Sequence, residues 1–259
     1  MAAIIAILLG VVQGLTEFLP ISSSAHLVFT QHLLRLSPDF TLNYDVILHL
    51  GTTLALLIFF RRQIREIIAN VSSVDAEQRK TSRLLIFYII IGSIPIAVIG
   101  LLFKTAIEKT FAQPIFPAIF LIVTGLLLLT TKLVKSSNRQ LTIKIVILIG
   151  IAQAIGLLPG ISRSGATIGI ALLLGINPTE AFEFSFLLSI PAVIGANILV
   201  MKDFTNTGIS FLLMTIGIVV TAVTGFLALL VLRSLVLQKR FYYFGFYCVL
   251  VGILALIIF

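Results

Sequence analysis

Two short stretches of the chain place polar and ionisable side chains inside otherwise apolar sequence. The first is Gln13-Gly-Leu-Thr-Glu-Phe-Leu-Pro-Ile-Ser-Ser-Ser-Ala-His26 and the second is Pro159-Gly-Ile-Ser-Arg-Ser-Gly-Ala-Thr167. In the first, Gln13 and Glu17 are four residues apart and share a helix face. A carboxylate in such a setting is either an acid–base or ligating group, or a hydrogen-bonding residue that ties a hairpin together. Ser23 and His26 are three apart. If a helix begins at Ser23 the two side chains can meet, and an imidazole can activate a hydroxyl. The run Ser22, Ser23, Ser24 after Pro20 reads equally as a helix N-cap with spare hydroxyls. In the second stretch, glycines, the hydroxyls of Ser162, Ser164 and Thr167 and the guanidinium of Arg163 precede a helix-forming run at 168–174. Free backbone N–H groups at a helix start favour an anion, and Arg adds a forked donor suited to phosphate oxygens. With no acid in its own segment, Arg163 calls for an anionic partner, either Glu17 or a phosphate. The two are compatible if Glu17 holds Arg163 in the empty site.

The elements that must hold these residues follow from composition. The chain has 259 residues, 59% apolar and 11% charged, with a mean hydropathy of +1.18. Soluble domains carry about 25% charged residues. This composition excludes a soluble enzyme, a disordered tail and a disulfide scaffold, and leaves an all-α polytopic membrane protein. A transmembrane barrel is excluded because the apolar runs are continuous. Six runs are long enough to cross a bilayer, at about 43–60, 84–103, 114–131, 181–201, 209–232 and 241–259. Regions 1–36 and 143–176 instead hold two half-length apolar pieces around the polar stretches. Broken backbone at membrane depth must be covered by protein or line a watery cavity. Both regions are therefore read as re-entrant helical hairpins.

Of the 18 Lys and Arg residues, 13 fall in three gaps at 61–83, 132–144 and 233–240. The net charge of +8 is thus a topology signal, not a nucleic-acid signal, and the positive-inside rule puts all three gaps in the cytoplasm. The first hairpin then opens on the outer side and the second on the inner side. The single cysteine, Cys248, lies in an apolar run and forms no intrachain disulfide. The start of the chain has no basic region or cleavage site and reads as mature protein.

The two hairpins also resemble each other. Gly10-Val-Val-Gln13 matches Gly150-Ile-Ala-Gln153, Leu19-Pro20 matches Leu158-Pro159, and Ile21-Ser22-x-Ser24 matches Ile161-Ser162-x-Ser164. Each half is one hairpin and three spans, over about 1–131 and 141–259 of a single integral domain. Three is odd, so the second copy must be inverted, an arrangement that brings broken segments together near the midplane. Other polar residues have plainer readings. Asp45 and Glu183 are helix-start acids or line the site. His49 is a packing residue, Glu180 a first-turn acid beside an N-cap, and Asn197 an interhelical hydrogen bonder.

The two stretches resemble the two signatures of the undecaprenyl-pyrophosphate phosphatase family linked to bacitracin resistance, in order and spacing, over essentially the whole chain. The resemblance implies removal of the terminal phosphate from a polyprenyl diphosphate, leaving the monophosphate carrier used for cell-wall polysaccharides. It implies Glu17, Ser23 and His26 as catalytic residues. Arg163 would bind phosphate, flanked by Ser162, Ser164, Gly165 and Thr167, with Ser22, Ser24 and Gln13 nearby. It further implies a divalent cation, Mg or Ca, with Glu17 as a ligand, a polyprenyl diphosphate partner in the lipid bilayer, and residence in the plasma membrane with the site open outward. Homo-oligomerisation is compatible with it. Two positions depart from the pattern. Gln13 stands where the family often has a second acid, so a two-carboxylate metal site is doubtful, and Ala25 stands where Gly is usual. The alternative function is a transporter or flippase of a phosphorylated lipid that uses the same phosphate site.

Overall fold

The computed structural model describes residues 2–111, 113–134, 138–201 and 209–259. Their regular structure is helical: α1 (Ala2–Phe18), α2 (Ser23–Leu33), α3 (Pro38–Asn70), α4 (Ala76–Leu102), α5 (Lys104–Phe111), α6 (Ile115–Thr130), α7 (Ile143–Ile155), α8 (Arg163–Leu173), α9 (Pro178–Met201), α10 (Phe211–Leu237) and α11 (Tyr243–Ile258). A short 3₁₀ turn, Thr131–Leu133, extends α6.

Five helical stretches are long and apolar enough to cross a membrane: Asn43–Asn70, Ala76–Leu102, Ile115–Leu133, Pro178–Leu199 and Phe211–Leu237. The sixth expected span is shorter than anticipated. Its helix, α11, has 16 residues, about 24 Å at 1.5 Å per residue against a hydrocarbon core of about 30 Å. The turn after α10 takes up the missing residues. Lys239 adopts φ 58°, and the Arg240 N–H returns to the Leu235 carbonyl at 2.8 Å, which closes a Schellman-type end before α11 can start. The basic gap at 61–83 is also not a loop throughout. Arg61, Arg62 and Arg65 ride on the end of α3, and Arg79, Lys80 and Arg83 on the start of α4. An Arg62–Glu66 pair one turn apart, at 2.8 Å, supports the extension. The start of α4 is capped by Asp75, which accepts from the N–H groups of Glu77 and Gln78. Lys135 of the second basic gap lies outside the described residues. The short helix α5 was not anticipated.

The exterior is apolar. In α4, Phe87, Ile90, Ile94, Val98 and Leu101 all face outward, as a lipid environment requires and water would penalise. The chain is an integral membrane protein. Inside, α1 packs on α10 and α7 on α4, while α6 pairs with α11 and α3 with α9 and α10. Small residues allow these approaches. A side chain at Gly14 would strike Thr224 of α10, and one at Gly150 would strike the Gly92 carbonyl of α4. Phe18, Phe60, Phe182 and Phe186 form a buried aromatic cluster, with centroids 4.9 to 6.0 Å apart in contacting pairs, that supports the inner ends of both hairpins.

Candidate active site at the two hairpin turns

The first turn runs through Leu19, Pro20 and Ile21 to Ser22, which caps α2 in the left-handed region at φ 65° and accepts from the Ala25 N–H at 3.4 Å. A non-glycine residue with this backbone needs support. His26 supplies it twice: its backbone N–H and its Nδ1 both reach the Ser22 carbonyl, at 3.3 and 2.8 Å. A carbonyl only accepts, so Nδ1 carries the ring hydrogen. The second turn passes through Gly160 at φ 103°, where a Cβ would fall on the Pro117 carbonyl. Ser162 then caps α8, accepting from the Gly165 N–H at 3.1 Å.

The two tips interlock. The Gly160 N–H donates to the hydroxyls of Ser22 and Ser24, at 3.1 and 3.4 Å, and Ser164 donates to the Leu19 carbonyl at 3.4 Å. Ser22 pairs with Ser24 at 3.1 Å, and Ser162 with Ser164 at 3.2 Å. Thr124 of α6 bridges the second turn, donating to the Gly160 carbonyl at 2.9 Å and accepting from the Ser162 N–H at 3.1 Å. The hydroxyls of Ser22, Ser24, Ser162 and Ser164 are therefore engaged in holding the turns.

Three segments converge on one carboxylate. Arg163 Nη2 donates to Glu17 Oε1 at 2.6 Å, and the Ser23 hydroxyl donates to Glu17 Oε2 at 2.5 Å. Gln13 Nε2 donates to Oε2 at 3.1 Å. Ser23 and Arg163 are each the first residue of their helix. The Glu17 side chain is 8% exposed and that of Arg163 22%. A pair this enclosed is costly to halve, because the survivor is left as a buried uncompensated charge. Arg163 keeps further N–H donors beyond the one given to Glu17. A crevice opens beside the pair, lined by Glu17, Arg163, Ser164, Thr167, Ser185, Phe186 and Ser189. Thr167 donates to the Arg163 carbonyl at 2.9 Å.

His26 is placed differently from expectation. It does not join Ser23. Its Nε2 meets the Tyr247 hydroxyl of α11 at 2.8 Å, and the two rings stack at 8°. Capping geometry is the reason: the first turn of α2 draws the imidazole back to the Ser22 carbonyl, while Ser23 is drawn to Glu17. His49 is a satisfied interior residue that also joins the Glu17 cluster, with its Nδ1 3.2 Å from Gln13 Nε2. Because Gln13 Nε2 also meets Glu17, it serves as donor to both, and His49 accepts. No spacing in the sequence links residues 36 apart. Ser185, Ser189, Thr124 and Tyr247 were missed for the same reason, since each comes from another helix.

The remaining polar residues follow their plainer readings or stand apart. Asp45 accepts from Gln31 at 2.8 Å, and Glu183 accepts from Gln63 at 3.0 Å, so neither joins the Glu17 cluster. Asn177 and Glu180 form a reciprocal cap at 2.9 and 3.1 Å. Asn197 donates to Thr53 across α9 and α3 at 2.8 Å. Among the described residues, no three His, Cys, Asp or Glu side chains cluster as a ready metal site.

Comparison with known proteins places the chain in a family. A curated undecaprenyl-diphosphatase of Geotalea daltonii is 43% identical over 97% of this chain and 96% of its own length. Proteins of the same name from Methanobrevibacter smithii and Geobacter metallireducens are 38% and 41% identical, each over at least 94% of both chains. The family profile described as "Bacitracin resistance protein BacA" matches residues 6–254, which include both hairpin turns and every residue of the site, and the chain belongs to that family.

Proposed function

We propose that the protein hydrolyses undecaprenyl diphosphate to undecaprenyl phosphate and inorganic phosphate at the meeting point of the two hairpins. The observation that carries this reading is the shared carboxylate: Glu17 receives the Ser23 hydroxyl on one oxygen and the Arg163 guanidinium on the other. The relatives' shared name supplies the substrate.

In this reading the diphosphate enters the crevice with its prenyl tail in lipid, and the crevice, which has room for about one water, widens to admit it. Arg163 turns its remaining donors to the phosphate oxygens, joined by Thr167 and the N-terminal N–H groups of α8. The Ser23 Oγ attacks the terminal phosphorus while its proton passes to Glu17. The bond from phosphorus to the bridging oxygen breaks, and undecaprenyl phosphate leaves. Glu17 passes that proton to the departing phosphate. Water then attacks the phosphoserine and gives its proton to Glu17. As the Ser23 Oγ–phosphorus bond breaks, Glu17 returns the proton to Ser23 Oγ and inorganic phosphate leaves. Phosphoryl transfer needs chiefly positioning and charge neutralisation, and the hairpin helices fix both groups at their first residues. His26 acts through Ser22, holding the strained cap that presents Ser23.

The donors present fit a hard divalent cation, Mg or Ca. Gln13 Oε1 is buried without a partner, and with the Glu17 carboxylate it offers two protein oxygens, a set such ions complete with substrate phosphate and water. Bound there, the cation would neutralise phosphate charge.

The inverted repeat, six crossings and an outward-facing site in the plasma membrane belong to the same proposal. Reciprocal packing supports the repeat alone: the first helix of each hairpin packs against a long helix of the other half, α1 on α10 and α7 on α4. The starts of α2 and α8, and of α3 and α9, are each separated by 140 positions.

The test is substitution of Arg163. Arg163→Lys keeps the charge and loses the fork, and is expected to lower kcat/KM about ten-fold or more, with Arg163→Ala at least about a hundred-fold down. Near wild-type activity of folded Arg163→Ala would overturn the phosphate-clamp role.

A further inference from the structure

The hydroxyl of Ser185 on α9 is buried, 3% exposed, and has no hydrogen-bond partner, yet it lines the crevice beside Arg163, Thr167 and Glu17. The other hydroxyls around this crevice are engaged: Ser164 with Ser162 and Leu19, Thr167 with the Arg163 carbonyl, and Ser189 with the Phe186 carbonyl at 2.8 Å. Ser185 did not take the common escape of donating to a carbonyl of its own helix one turn back, as Ser93 and Thr16 do. A buried polar group without a partner destabilises the empty protein and calls for an explanation.

The repeat register accounts for how it came to be free. At 140 positions' separation, Ser185 corresponds to Asp45, and Ala171 to Gln31. In the first half Gln31 donates to Asp45 at 2.8 Å. In the second half the partner position on α8 is the fully buried Ala171, with no polar group to offer. The second half thus carries a small neutral donor where the first has an internally paired acid. A carboxylate there would repel a phosphate, whereas a serine hydroxyl can donate to one.

We propose that Ser185 is a phosphate-binding residue of this site, donating to a non-bridging oxygen of the diphosphate from the α9 wall, opposite the first turn of α8. The proposal rests on the diphosphatase reading above. With it, the anion is held between Arg163 and Thr167 on one side and Ser185 on the other.

The experiment measures phosphate release from undecaprenyl diphosphate by the purified full chain in detergent, together with its melting temperature, for wild type, Ser185→Ala and Ser185→Thr. A silent wild type would fail the diphosphatase reading itself, separately from this proposal. With an active wild type, Ser185→Ala is expected to raise KM about ten-fold or more, the scale of a lost hydrogen bond to a charged group. Its melting temperature is expected to stay the same or rise, because an orphaned hydroxyl has been removed. Ser185→Thr, which restores the hydroxyl, is expected to recover KM at least in part. An unchanged KM in Ser185→Ala overturns the proposal. So does a raised KM with a lowered melting temperature and no recovery in Ser185→Thr, which would mark a packing residue.

Discussion

Glu17 receives donors from three helices: Gln13 on its own helix, Ser23 six residues on across the first turn, and Arg163 146 residues away at the second turn. The consequence is a carboxylate whose two oxygens have different tasks, one toward the hydroxyl and one toward the guanidinium. His26 serves this arrangement from behind. Its Nδ1–H fixes the Ser22 carbonyl, and Ser22 is a left-handed residue that would otherwise relax and carry Ser23 away from Glu17. Replacing His26 by Ala is therefore expected to lower kcat about ten-fold to a hundred-fold, the equivalent of one or two lost hydrogen bonds. His26→Asn, which can still donate to that carbonyl, is expected to recover much of the loss. Equal inactivity of both variants would show instead that the imidazole itself moves a proton. At this scale the sequence singled out Glu17, Ser23 and Arg163, which the structure brings into contact, because charges and hydroxyls inside apolar segments require a reason. It pointed to the wrong neighbour for His26, because three-residue spacing describes which side chains can meet, whereas capping decides which do.

The helices explain why the two turns can carry such strain. Each hairpin breaks where Pro meets a serine cap, and each tip is tied to the other by Gly160, Ser22, Ser24 and Ser164. Helices α2 and α8 end alike, with Arg35 at φ 51° and Gly175 at φ 89° closing the last turn. Gly160 is the critical link, since its backbone is left-handed and the space a Cβ would need is filled by Pro117 and Phe120. Gly160→Ala is expected to lower the melting temperature by several degrees, roughly 2–4 °C for each kcal/mol lost in a chain of this size, and to lower activity although no reactive group is removed. Gly195→Ala on α9, where nothing lies within 4 Å of the added methyl, provides the contrast and should be close to neutral. Equal melting temperatures for the two would contradict the interlock. Broken helices were readable from Pro, Gly and Ser inside apolar runs. The length of α11 was not, because a hydrophobic run does not reveal where a chain turns. Helix α5 was hidden because its polar residues resemble a loop.

For the whole molecule, few charges divide into two groups. Most Lys and Arg lie at helix ends and in gaps, whereas Glu17 and Arg163 lie inside the fold as an enclosed pair, to which the proposal assigns the chemistry. The repeat was read from matched Gln, Pro and Ser residues and remains part of the proposal, to which the 140-position offset between the starts of α2 and α8 and of α3 and α9 lends support. What the sequence could not convey is the wall supplied by α9 and the partners supplied by α3, α6 and α11, which meet the hairpins only after folding. The central claim is that this buried constellation performs hydrolysis and not merely recognition of a lipid phosphate. Purified protein in detergent, where no transport is possible, tests it directly. Wild type is expected to release inorganic phosphate from undecaprenyl diphosphate, and Glu17→Gln, which keeps the shape but cannot accept the Ser23 proton, is expected to release at least about a hundred-fold less. No release by wild type, or equal release by Glu17→Gln, would contradict the account.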